Sequence, residues 1–168
     1  MEVSIDKECA RILALRHPAA SDLRLVISVS KVTNDLERIG DEAAKVAQQT
    51  LELSDGDHSE QGYIEVRHIG EQVRLMVREA LDSFARFDAD AALQVAKKDK
   101  DVDREYGSAL RELVTFMMED PRYITRVLNV LWSLRALERI GDHARNIAEH
   151  VIYLVKGRDV RHLPLGEL

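Results

Sequence analysis

The chain has 168 residues, about the size of one domain, and its 30 acidic against 24 basic side chains leave a net charge of −6 and a pI near 5.5. That balance excludes bulk electrostatic binding of nucleic acid, which needs a face where Lys and Arg outnumber carboxylates. One cysteine, Cys9, excludes an intrachain disulfide framework and fits a reducing, cytosolic setting, and neither a run of ~18 apolar residues nor a basic-then-apolar leader pattern is present.

The periodicity is helical almost throughout, with no convincing strand alternation. A first helix over residues 3–16 carries Ile5, Cys9 and Ile12 in line, so Cys9 reads as a packed thiol. Pro18 separates it from a long helix over 21–53, and the polar, glycine-containing stretch 55–62 reads as a linker. Val66, Ile69, Val73, Met76, Ala80, Phe84 and Phe87 then form one stripe on a helix of about 25 residues. Asp88 or Asp90 offers the N-cap of the next. That helix carries Ala92, Val95, Asp99, Val102, Tyr106, Leu110, Leu113 and Met117 on one stripe and ends at Asp120-Pro121. A last long helix over 123–156 stops at Gly157, with a tail over 158–168. Long helices on short turns mean antiparallel bundles.

An internal repeat organises these helices. Leu-Glu-Arg-Ile-Gly-Asp occupies 36–41 and again 137–142, an offset of 101, and Ala43, Val46 and Ala47 fall on Ala144, Ile147 and Ala148. The fold expected is therefore all-α, two antiparallel three-helix bundles related by duplication, over 1–54 and 63–157. Two helices in the first segment leave that bundle short of one helix and part of another.

Within the motif, Glu37 and Asp41, like Glu138 and Asp142, lie one turn apart on one side of a helix. At 100° per residue they fall on the shoulder of the apolar arc formed by Leu25, Val29, Leu36, Ile39, Ala43, Val46 and Ala47, bordering the core. Gly40 and Gly141 lie inside the arc, where a glycine costs about 1 kcal/mol of helix stability and suggests a close approach by a neighbouring helix or ligand. Asp99 and Asp103 form a third pair, with Asp99 on an apolar stripe where a carboxylate needs a cation or strong donors. Two packed helices bring Asp99, Asp103, Glu138 and Asp142 together. An all-oxygen set of this kind suits Mg, Mn or Fe better than zinc.

Against that stands a plainer reading. Thirty acids give several i, i+4 pairs by composition alone, and Arg38, Arg139, Arg104 and Arg135 lie close enough to form ordinary ion pairs. The exact duplication weighs towards a shared role. Other candidates fail. Glu65-Val-Arg-His68 has the Glu-x-x-His spacing of di-iron bundles but occurs once. Asp55-Gly-Asp57 opens like a calcium loop but lacks the glycine at its sixth position and the carboxylate at its twelfth. His143 and His150, whose counterparts are Glu42 and Gln49, read as exposed histidines. No phosphate-loop pattern or Ser/His/Asp triad signature is present.

The repeated Leu-Glu-Arg-Ile-Gly-Asp resembles the PhoU family of phosphate-signalling proteins, as do Ala20-Ser-Asp-Leu-Arg-Leu-Val26, Asp99-Lys-Asp-Val-Asp103, Phe116-Met-Met-Glu-Asp-Pro121 and Val155-Lys-Gly-Arg-Asp-Val-Arg-His162, in that family's order. The resemblance covers essentially the whole chain. It implies paired three-helix bundles whose acidic motif binds divalent metal ions or multinuclear clusters, here Glu37 and Asp41 in one repeat and Glu138, Asp142, Asp99 and Asp103 in the other. The second site is the better furnished, because the partner pair of the first falls in the missing helix. It further implies a cytoplasmic negative regulator, not an enzyme, that couples the phosphate ABC transporter ATPase to a membrane sensor histidine kinase, without contacting nucleic acid and with peripheral membrane contact allowed. A carboxylate-rich metal-binding or storage protein, and a purely structural bundle, are the competing readings. The open flank of the first bundle predicts a homodimer, with Leu128, Leu131 and Trp132, which lie off the main stripe of the last helix, as further contact residues.

Overall fold

The computed structural model describes residues 2–54 and 63–160. The expected linker at 55–62 and the tail beyond residue 160 lie outside the described residues. Five α-helices follow one another: α1 (Glu2–Arg16), α2 (Ala20–Ser54), α3 (Tyr63–Arg86), α4 (Ala89–Glu119) and α5 (Ile124–Lys156), with one 3₁₀ turn at Pro121–Tyr123.

Local chemistry sets the ends of these helices. Asp88 caps α4, its Oδ1 accepting from the Asp90 and Ala91 amides at 3.1 and 2.9 Å, which settles the choice between Asp88 and Asp90. Asp120 does the same for the 3₁₀ turn, accepting from the Arg122 amide at 3.0 Å, so α5 begins one residue later than its periodicity suggests. Gly157 closes α5 at φ 69°, donating to the Tyr153 carbonyl at 2.9 Å. Only glycine enters that left-handed region freely. Phe87, placed by periodicity on the α3 stripe, instead sits in the turn before α4 at φ 53° with its ring half exposed.

Helix α5 is the axis of the molecule. It packs against α3 and α4 on one side and against α2 on the other, while α1 touches only α2 among the described elements. Ile69, Val73, Met76, Val95, Val102, Leu134, Ile147 and Val151 are essentially removed from water where α3, α4 and α5 meet. A core of this kind loses about 2–5 kcal/mol for each Leu or Ile cut back to Ala.

The buried line of α2 differs from the one expected. Ser28, Val32, Asp35, Glu42 and Leu53 are buried, whereas Leu36, Ala43 and Ala47 are exposed and Leu25, Val29, Ile39 and Val46 only half-buried. The reason is tertiary: α5 and α1 are the only described elements against α2, and α5 covers the face holding Asp35 and Glu42 rather than the arc centred on Leu36. Cys9 is buried between α1 and α2 as expected, and its removal from water pushes the thiol up.

Candidate functional site

The two copies of the hexapeptide, identical in sequence, sit in different surroundings. Glu138 and Asp142 are half-buried on α5, facing α4. Glu37 and Asp41 are exposed on α2, contrary to their expected place at the edge of a core, with the Arg38 guanidinium 3.8 Å from Glu37. The glycines differ in the same way. A Cβ on Gly141 would meet Val102, Asp99 and Val73 at 3.6–3.7 Å, ordinary contact, and one on Gly40 would meet nothing within 4 Å. The close approach expected at the motif glycine therefore exists at Gly141, with room for one more methyl group, and is missing at Gly40.

In the second repeat Asp99 is buried on α4, Glu138 and Asp142 are half-buried on α5 and Asp103 is exposed, and the four lie near enough for their charges to act on one another. Burial pushes the Asp99 carboxyl above its ordinary range; Arg145 pulls it back, and Asp103 and Asp142 push it further up. Burial raises Glu138 too, the charge of Asp142 adding to it and Arg135 opposing. Arg135 pairs with Glu138 at 2.7 Å, while Glu138 Oε2 is buried with no hydrogen-bond partner. Of the other arginines weighed as counterions, Arg104 turns to Asp101 at 2.7 Å and Arg139 leaves the cluster for Glu42 across the α2–α5 seam at 3.2 Å.

The cation at the centre is one the motif did not indicate. Arg145 donates through Nη1 to Asp99 Oδ2, places Nη2 3.2 Å from Asp142 Oδ1 and sets Nε 3.6 Å from Glu149 Oε1. Burial opposes its charge, and Asp99 followed by Asp142 hold it above the usual guanidinium value. In donor type and charge the cluster fits a hard divalent ion, and the unpartnered Glu138 oxygen is a group such an ion would satisfy. Its centre, however, holds a guanidinium, and among the described residues no three Asp, Glu, His or Cys side chains are grouped as a metal cage. A signal for Arg145 was present: it stands three residues after Asp142 and four before Glu149, on one helix face.

A second buried constellation joins α2 to α5. Asp35, 6% exposed, accepts from His143 Nδ1 at 2.9 Å and Asn146 Nδ2 at 3.3 Å on one oxygen, and lies 3.2 Å from His150 Nε2 on the other. Burial alone would raise this carboxyl, but the hydrogen bonds from His150, His143 and Asn146 outweigh it and hold the acid below its ordinary value. The expectation of exposed histidines is thus corrected: both rings are largely covered because α2 lies over this stretch of α5. Two turns further along α2, Glu42 is buried against Arg139 at 3.2 Å and Lys45 at 2.9 Å.

Fold and site together define a class: a bundle of long antiparallel helices that carries the same acidic hexapeptide on α2 and again on α5. The chain belongs to the PhoU family, the model for the PhoU domain matching residues 1–50 and 66–151. It is 70% identical over its full length to the phosphate-specific transport system accessory protein PhoU homolog of Pseudomonas aeruginosa, spanning 69% of that protein. It is 46% identical to the PhoU accessory protein of Escherichia coli, again spanning 69%. Two crystal structures share the fold: PhoU from Pseudomonas aeruginosa, with a TM-score of 0.91 at 70% identity over 94% of this chain and 75% of that one, and the phosphate transport system regulatory protein PhoU from Streptococcus pneumoniae, with 0.84 at 33% identity over 95% and 74%. No described helix is long and apolar enough to cross a membrane.

Proposed function

We propose that this chain acts as a regulatory adaptor of phosphate transport. It restrains uptake and the phosphate-starvation response when phosphate is plentiful, docking in the cytoplasm on the ATPase subunit of the phosphate ABC transporter and on a membrane sensor histidine kinase, with no catalytic step of its own. The observation that carries this reading is similarity along the entire chain to proteins named as accessory to the phosphate-specific transport system. The exposed Trp132 and the partly exposed Leu128 on α5 supply apolar contact area for a partner. The exposed arc of α2 at Leu36, Ala43 and Ala47 is the face through which two copies would form a homodimer. The test is co-purification with the ATPase subunit and the kinase. Retention of both is expected, together with starvation-gene expression in high phosphate when the gene is deleted. Retention of neither, or binding of a phosphate-responsive promoter by the purified chain alone at physiological salt, would overturn the adaptor reading.

A second reading, divalent metal binding by Asp99, Asp103, Glu138 and Asp142 and more weakly by Glu37 and Asp41, has one observation in its favour: the buried, unpartnered Glu138 Oε2 beside Asp142. A bound Mg, Mn or Fe ion would supply positive charge there and satisfy that oxygen. Metal analysis of protein purified without chelator tests it. Substitution of Glu138 and Asp142 by Ala lowers bound Mn or Fe if the reading holds, and protein that neither retains metal nor gains thermal stability from it removes the reading.

A further inference from the structure

We infer that Arg145 is the resident counter-cation of the second repeat's acidic cluster and that it competes with a divalent metal ion for that place. The inference builds on the metal-binding reading above. Three carboxylates from two helices converge on one guanidinium: Asp99 from α4, and Asp142 and Glu149 from α5 on either side of Arg145 along the helix. Asp99 is fully buried, so its charge cannot be answered by water and needs a cation or donors at short range, which Arg145 supplies.

The internal repeat acts as a control within the same molecule. At the offset of 101, Asp142 corresponds to Asp41 and Glu138 to Glu37, but Arg145 corresponds to Ala44 and Glu149 to Gln48. The arginine and the third acid it holds therefore occur together in one repeat and are both missing from the other. Where the acids are exposed no such cation is built in, and where Asp99 and Glu149 are buried one is. A guanidinium and a divalent ion make the same electrostatic demand on these carboxylates, namely positive charge at short range in a site shielded from water. They cannot both stand between Asp99 and Asp142. Arg145 is one-third exposed along its side chain, which leaves it an outward path by rotation about its own bonds, so an ion could enter without any helix moving.

The experiment compares Mn²⁺ binding to the wild-type chain and to Arg145→Gln and Arg145→Lys, by titration and by thermal melting with and without the ion. Arg145→Gln is expected to bind Mn²⁺ at least about tenfold more tightly than wild type, with a lower melting temperature in chelator that Mn²⁺ restores. Arg145→Lys keeps a single positive charge and falls between the two. Equal Mn²⁺ affinity in wild type and Arg145→Gln overturns the competition while leaving the metal-binding reading intact. No Mn²⁺ binding in any of the three removes both. An Arg145→Gln chain that folds only in Mn²⁺ supports the inference, since the ion has then replaced the guanidinium; one that remains unfolded with the ion present overturns it.

Discussion

Asp35 and Asp99 are buried to nearly the same degree, 6% and 2% exposed, and each is answered from α5, yet their acidities move in opposite directions. At Asp35, three donors, His143, His150 and Asn146, converge on one carboxylate and outweigh the cost of burying it. At Asp99 the ratio is reversed. One guanidinium is divided among Asp99, Asp142 and Glu149, with the Asp103 charge close by, and burial wins. The contrast shows that burial alone does not decide whether a charge is welcome; the number of donors per acid does. The α2–α5 seam is thus an anion satisfied by its donors, and Asp99 at the α4–α5 seam an anion whose one guanidinium is shared with other acids.

The largest effect should come from breaking the satisfied side. Asp35→Ala leaves His143, His150 and Asn146 covered and without their acceptor, and should cost about 2–3 kcal/mol in urea unfolding. The sign of its pH dependence follows from the lowered acidity: the stabilisation is complete above the ordinary carboxylate value of about 3.9 and is lost as pH falls through the lower folded value. The variant should therefore lose part of the wild type's acid sensitivity below pH 4. Melting curves that respond to acid equally in both chains would remove Asp35 from this role.

Asp99→Asn should be milder, about 1 kcal/mol or less, because Asp142 and Glu149 still hold Arg145 while a disfavoured buried charge is removed. Its pH signature is opposite. The folded pKa is raised, so the Asp99 contribution is most favourable below the ordinary value and declines as pH rises through the folded one. Asn should flatten that decline in the mildly acidic range above pH 4. A loss as large as that of Asp35→Ala would show that the two sites are not opposites.

The smallest effect comes from the two motif glycines. Gly40→Ala adds a methyl group in open space and should gain about 0.5–1 kcal/mol from helix propensity alone. Gly141→Ala adds it against Val102, Asp99 and Val73 at ordinary contact distance, so its gain should be equal or smaller. A loss at Gly40 would show that a partner packs there, and thermal melts at several protein concentrations would reveal whether that partner is a second copy.

What the sequence by itself determined is what nearby residues decide. The stripes of α3 and α4, the Asp88 cap, the Gly157 stop and the all-helical class all depend on residues within a turn or two of one another. The duplicated hexapeptide, with the motifs around it, was enough to indicate the PhoU family. The gathering of Asp99 with the α5 acids was legible as well, since an acid on an apolar stripe requires company. Only the tertiary structure decided which face of each helix meets which neighbour. The pairing of Asp35 with His143 spans 108 positions and that of Arg145 with Asp99 spans 46. Neither leaves a local periodic trace, so nothing in the sequence distinguishes Asp35 from the other acids of α2, and the two histidines read as surface residues. The same rule separates the two copies of the motif: six identical residues give the same helix twice, but whether Glu and Asp on it are buried is set by the helices packed alongside.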